Sequence, residues 1–160
     1  MYQLNTITPI HNIPNKDMRA VNEALNTAYE SYFHSSLRLG ACIKNKKEYL
    51  LGQNMKGQTR FGKISRVSLH AEMNALCSYL RKEYGHTSFK QKPTKTNNYT
   101  VYVVRVMNSK KGLPDNQKVW FGCSKPCKNC QINLYHFGFK KIKYTDFING
   151  ENVLCEMIKC

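Results

Sequence analysis

At 160 residues, with a formal net charge of +15 and 41% hydrophobic residues, the chain is long enough for one domain with a buried core and too apolar for general disorder. No apolar run approaches the ~18 residues of a transmembrane helix, and the start, MYQLNTITPIHNIPNKD, lacks the basic-then-apolar pattern of a secretory signal. The expectation is one domain over residues 1–160, with its core over 18–146, in the cytoplasm and away from membranes.

In chain order, the spacing of Met18, Val21, Leu25, Ala28, Tyr29 and Tyr32 predicts a helix over 17–33, capped by Asn15 or Asp17. Residues 36–43 and 48–52 read as two strands joined by a tight turn at Asn45-Lys46. A basic loop over 53–66 follows, then a helix over 69–84 with Leu69, Met73, Leu76, Leu80 and Tyr84 on one stripe. Residues 86–98 are polar and lysine-rich and read as a loop. YTVYVVRV (99–106) is apolar on both faces, as a central buried strand is. A second long loop covers 108–120. A short helix over 127–137 carries Cys127, Cys130, Leu134 and Phe137 on one stripe, with Pro126 expected at its first position. Residues 140–146 form a strand, and Asn149-Gly150 turns the chain into a last strand, NVLCEMI. The order α-β-β-α-β-α-β-(β) gives an α/β fold with a mixed sheet and helices on its faces.

The positive charge is concentrated. Residues 44–66 hold seven basic residues against Glu48, and residues 110–143 hold eight lysines against Asp115. Such a bias attracts anions, whether nucleotides or nucleic acid. Lysine outnumbers arginine 19 to 6, with 16 asparagines and 10 tyrosines, a skew that A/T-rich codons also produce. Of the seven cysteines, Cys42, Cys77, Cys123, Cys155 and Cys160 read as small buried residues or stray thiols.

Cys127 and Cys130 stand apart because of what lies upstream. SLHAEMNAL places His70 and Glu72 at one helix start, and SKPCKNC places the two cysteines at another. Residues three apart in a helical first turn face the same way. Two thiolates and one imidazole make three protein ligands for one zinc ion per chain, leaving the fourth position open, the mark of a catalytic site. Glu72, two residues from the histidine, sits where it reaches the metal's water without being a ligand, as a general acid–base group does. Two other readings stand beside this one. The cysteines could form a redox pair, or His86, His136 or Cys123 could close a structural zinc site.

The pair HAE…PCxxC resembles the active-site motifs of the cytidine and deoxycytidylate deaminase superfamily, over roughly residues 18–146. The resemblance implies a three-layer α/β/α fold around a mixed five-stranded sheet, with zinc where two helix starts meet. It implies His70, Cys127 and Cys130 as ligands and Glu72 as the proton shuttle. It further implies that Ala71 contacts the base through its backbone, that Asn54 holds the sugar or orients the base, and that Ser124 and Lys125 touch the base edge through side chain or backbone. Members commonly assemble as homo-oligomers.

Three functions compete. The first is hydrolytic deamination of a cytosine nucleoside or nucleotide (cytidine, deoxycytidine or dCMP), with Arg60, Lys63 and Arg66 serving a phosphate. The second is deamination of a base in single-stranded DNA or RNA, tracked by the basic loops and stacked on Phe61, Trp120 and Phe121. The third is a zinc-stabilised binding module without catalysis, which leaves Glu72 without a use. The motifs do not separate cytosine from adenine or guanine as the base attacked.

Overall fold

A computed structural model describes residues 1–30, 38–61, 64–85, 98–107 and 119–160; over 55–69 it describes the main chain only. Strand β1 (Tyr2–Pro9) leads through a 3-10 turn (Ile10–Asn12) into helix α1 (Asn15–Tyr29). Strands β2 (Arg38–Lys44) and β3 (Tyr49–Gln53) form a hairpin, followed by a second hairpin of β4 (Met55–Phe61) and β5 (Ile64–Leu69). Helix α2 (Ala71–Tyr84), strand β6 (Thr100–Val106), the short β7 (Phe121–Gly122), helix α3 (Lys128–His136) and strands β8 (Lys141–Ile148) and β9 (Glu151–Lys159) complete the chain.

The main sheet runs β1-β9-β8-β6-β2-β3, with β7 added alongside β6. Only β6 and β8 pair in parallel, so the sheet is mixed, as expected. It has seven strands where five were expected. The surplus comes from β1 and β7. β1 is exposed over most of its length and is held by backbone pairing to β9, so its own sequence shows no apolar alternation. The 53–66 segment, expected as a loop, forms the β4–β5 hairpin instead.

Two clusters of buried side chains lie on opposite faces of the sheet, which makes the fold three-layered. Beneath α2 and α3 pack Met73, Leu76, Leu80, Leu134, Phe137, Val101, Val103 and Ile142. Beneath α1 pack Ala20, Val21, Ala24, Cys42, Tyr102 and Val104. β6 therefore feeds both cores with alternate residues and is the central strand its sequence predicts.

Helix α1 corrects two expectations. Its N-cap is Pro14, and Asp17 caps nothing. The Asp17 carboxylate is 3% exposed. It accepts the Tyr102 hydroxyl at 2.5 Å and pairs with the Lys143 ammonium at 3.0 Å. Lys143 also reaches Glu156 at 3.4 Å, so one buried charge network pins α1 to β6, β8 and β9. The buried face is also rotated toward Ala20, Ala24, Thr27 and Ala28, leaving Met18 and Leu25 half-buried. The reason is Gly40. A side chain there would collide with the Ala24 carbonyl, so the helix lies directly on β2 and only small residues fit between.

The two tight turns form as predicted. Asn45 Oδ1 accepts the Lys47 and Glu48 amides, each at 2.9 Å. Asn149 and Gly150 both take positive φ, 51° and 81°, which the twist of a two-residue hairpin demands. Among the described residues no helix is long and apolar enough to cross a membrane.

Candidate metal centre

His70 and Cys127 are the N-caps of α2 and α3, both in extended conformation. An N-cap normally bonds its own helix through a short polar side chain. Neither His70 nor Cys127 does, so each side chain is left to turn toward the other helix. Pro126, expected as a first helical residue, sits one place before the cap and is buried. This makes Cys127 the cap and places Cys130 in the first turn.

The three side chains converge. His70 Nδ1 lies 3.3 Å from Cys130 Sγ and 3.5 Å from Cys127 Sγ. The two sulfurs are 3.4 Å apart. Bond lengths of ~2.05 Å to nitrogen and ~2.3 Å to sulfur at tetrahedral angles give edges of roughly 3.5–3.8 Å. The observed triangle is slightly tighter and of the same shape. No other described group of three or more histidine, cysteine or acidic residues comes together this way. Cys123 and His136, considered as closing ligands, are not in it, and His86 lies outside the described residues.

The triangle has a buried side and an open side. Cys130 is 3% exposed, whereas His70 and Cys127 are exposed. Glu72 lies on the buried side, 4% exposed at its side chain, with Oε1 3.8 Å from His70 Nδ1. Burial first, and then the facing Glu72 carboxylate and Cys127, push the Cys130 thiol well above its ordinary range. Two sulfurs and a carboxylate crowded into a dry pocket are poor company for one another as anions. A dication between them reverses the penalty and draws both thiols into the thiolate form. The residues fit one zinc ion, with three protein ligands and an exposed side from which a fourth can come.

The surroundings fix this geometry. Gly52 on β3 lies against the first turn of α2. A Cβ there would press on the Ala75 amide, and would come within 2.6 Å of the Ala71 carbonyl and 2.8 Å of the Asn74 carbonyl carbon. Asn74 Nδ2 donates to the Gln53 carbonyl at 2.9 Å, and the Asn74 amide bonds the His70 carbonyl. Asn133 Nδ2 on α3 reaches Met73 Sδ at 3.5 Å, joining the two helices behind the site. Gly52 and Asn74 were not singled out by sequence. The available signal was a glycine within an otherwise apolar strand segment, Tyr49–Gln53.

The other expected site residues divide. Ala71 is fully buried at the first position of α2. Asn54 follows β3. Its Oδ1 accepts the Leu39 amide at 2.9 Å and its own amide donates to the Leu39 carbonyl, so its carboxamide is set by β2. Ser124 does not present its side chain to a base. It is 2% exposed, its hydroxyl donates to the Val103 carbonyl at 2.7 Å, and that oxygen accepts the Thr145 amide at 2.9 Å. It latches the β7–α3 loop to the sheet. Lys125 is exposed on that loop. The main chain of Arg60 and Arg66 lies in β4 and β5; their side chains and Lys63 lie outside the described residues, as do most of the 86–98 and 108–120 segments. Phe61's side chain is likewise outside them, and Phe121, expected to stack bases, is a core residue at 4% exposure.

A family model described as the cytidine and deoxycytidylate deaminase zinc-binding region matches residues 14–146. The chain belongs to that family. None of the curated proteins matches the sequence. Membership makes the zinc reading of the His70, Cys127 and Cys130 triangle the family's own, in place of the redox-pair reading. It supports a zinc-dependent deaminase and does not name the substrate.

Proposed function

We propose that the protein hydrolytically deaminates a free cytosine nucleoside or nucleotide to its uracil form. The observation that carries the reading is Glu72: a buried carboxylate 3.8 Å from a ligand nitrogen, on the helix that the ligand caps, and itself outside the ligand set. When bound, zinc supplies a Lewis acid that lowers the pKa of a coordinated water from ~16 toward ~7. Glu72 takes one proton of the water at its carboxylate and passes it to the ring nitrogen, then takes the second from the hydroxyl formed at C4 and passes it to the leaving amine. Water adds at C4, the C–N bond breaks, and ammonia departs. The exposed side of His70 and Cys127 admits the base, and the dry side keeps Glu72 in contact with it.

Asn54, whose Oδ1 accepts the Leu39 amide near the start of β2, is the proposed sugar contact. Ala71, at the start of α2, has an amide in the orphan set of a helix N-terminus, and its proposed role is to bond the base through that amide. Arg60, Lys63 and Arg66 are the proposed cationic contacts for a phosphate, and Lys125 the proposed contact at the base edge. A homo-oligomer in the cytoplasm is part of the same reading. The net charge of +15 favours the second reading, a base within single-stranded nucleic acid. Ammonia release from cytidine, deoxycytidine, their monophosphates, guanine, adenosine and single-stranded oligonucleotides separates the two readings by which substrate turns over fastest.

A further inference from the structure

On the sheet face opposite α2 and α3, a cavity of about 740 Å³ opens between α1, the 3-10 turn and the β8–β9 turn. Its floor is apolar: Val21, Leu25, Met18 and Phe121. One wall is Trp120, the only tryptophan in the chain, half exposed, with Phe147 edge-on at a centroid distance of 6.1 Å. Trp120 is mounted rigidly. The side chain of Asn152 grips the main chain on both sides of it, accepting the Phe121 amide at 3.1 Å and donating to the Val119 carbonyl. The Trp120 carbonyl accepts the Met107 amide at 2.8 Å. A large ring on an anchored main chain and left half in water is binding surface that needs little further ordering. At the rim stand His11, Asn22 and Glu151, which offer hydrogen bonds in several directions.

We propose that this cavity is a second ligand site, for an uncharged heteroaromatic molecule of nucleoside size that stacks on Trp120. The volume is that of a small-molecule site and too small to seat a helix. Among the described lining residues there is no lysine or arginine, in a chain that has 25 of them, and the one formal charge is Glu151. What the described lining offers is a surface for a ring. The site is separate from the zinc and does not depend on the deaminase reading.

The test uses the fluorescence of Trp120 in the zinc-loaded full chain, titrated with adenosine, cytidine, their 5′-monophosphates and a single-stranded oligonucleotide, with calorimetry in parallel. The expected result is a saturable change with a nucleoside, equal or weaker with its monophosphate. Phe147→Ser, at an exposed position, weakens it about three- to tenfold. Asn22→Phe, which fills the mouth of the cavity from an exposed position, abolishes it. Chelator-treated protein that remains folded retains it. No saturable response to either nucleoside, or a response that both variants leave intact, overturns the proposal. Tighter binding of the oligonucleotide than of any nucleoside, lost with Phe147→Ser, also overturns it, in favour of a nucleic-acid contact.

Discussion

His70 Nδ1 and Cys127 Sγ lie 3.5 Å apart, although each residue caps a different helix. Serine, threonine or aspartate at either position would stabilise its own helix by about 1 kcal/mol. Both helices forgo that bond, and their two starts are instead joined to each other through the triangle that Cys130 completes.

Cys127→Ala tests that triangle. Cys127 is exposed, so its truncation leaves no cavity. Wild-type protein is expected to carry one zinc per chain and the variant a small fraction of it, measured by elemental analysis after dialysis against a weak chelator. Thermal stability of the variant should become independent of added zinc, because ligand binding to the folded state is what raises it. Full retention of zinc by Cys127→Ala contradicts the ligand assignment.

Gly52→Ala tests the support beneath α2. The added methyl meets main chain at Ala71, Asn74 and Ala75, which cannot swing aside as a side chain would. Overpacking of this kind costs about 1–3 kcal/mol. Displacing the first turn also displaces Glu72 from the zinc, so kcat is expected to fall about tenfold or more while zinc content stays at one per chain. Wild-type stability and kcat together would show that β3 does not position the helix.

The protein is expected to lose stability in alkali. Burial pushes Cys42 from 9.0 to about 12 and Cys77 from 9.0 to about 11. Burial likewise raises Tyr2, Tyr79, Tyr102 and Tyr144 above their ordinary value of 10.0. A raised pKa means that the folded state holds the proton more tightly than the unfolded chain. The stability this brings is complete below pH 9 and is lost as pH climbs through the folded values. Melting temperatures under reducing conditions should be flat from pH 7 to about 9 and fall beyond it. Cys42→Ala combined with Cys77→Ala should remove part of the slope between pH 9 and 11. A melting temperature that holds constant beyond pH 11 contradicts the assignment.

Salt dependence separates the two substrate classes. Each neutralised phosphate of a single strand contributes a slope of roughly −0.7 in log K against log salt. With a free nucleotide as substrate, oligonucleotide binding should show a slope of about one or two units, and Arg60→Ala or Arg66→Ala should weaken monophosphate binding most. A slope of several units, reduced when Lys110, Lys111 and Lys118 become alanine, together with faster deamination of the oligonucleotide, decides for nucleic acid.

The sequence carries the site more fully than the fold around it. His70, Glu72, Cys127 and Cys130 are legible because ligand chemistry demands particular residue types at particular spacings, and they can be read without knowing what packs where. β6 is legible because a strand buried on both faces has to be apolar throughout. β1 is not, because what holds Tyr2–Pro9 is backbone pairing to a strand some 150 residues away. The face of α1 was misread by about one position because Gly40, on another element, decides how close the helix comes. Asp17 looks like a cap until Tyr102 and Lys143 are seen around it. The Ser124 side chain neighbours the zinc motif in sequence, yet its hydroxyl is bound by Val103 and Thr145.

The measurement that bears most directly on the account is ammonia release by Glu72→Ala compared with wild type, with the zinc content of each determined on the same preparation. On the proposed function Glu72 moves a proton and binds no metal, so the variant should hold one zinc per chain, melt close to wild type, and turn over a cytosine nucleoside or nucleotide about 10²–10⁴-fold more slowly. A variant that keeps its zinc and wild-type turnover, or a wild-type protein with full zinc that releases no ammonia from any cytosine, adenine or guanine substrate, would contradict it.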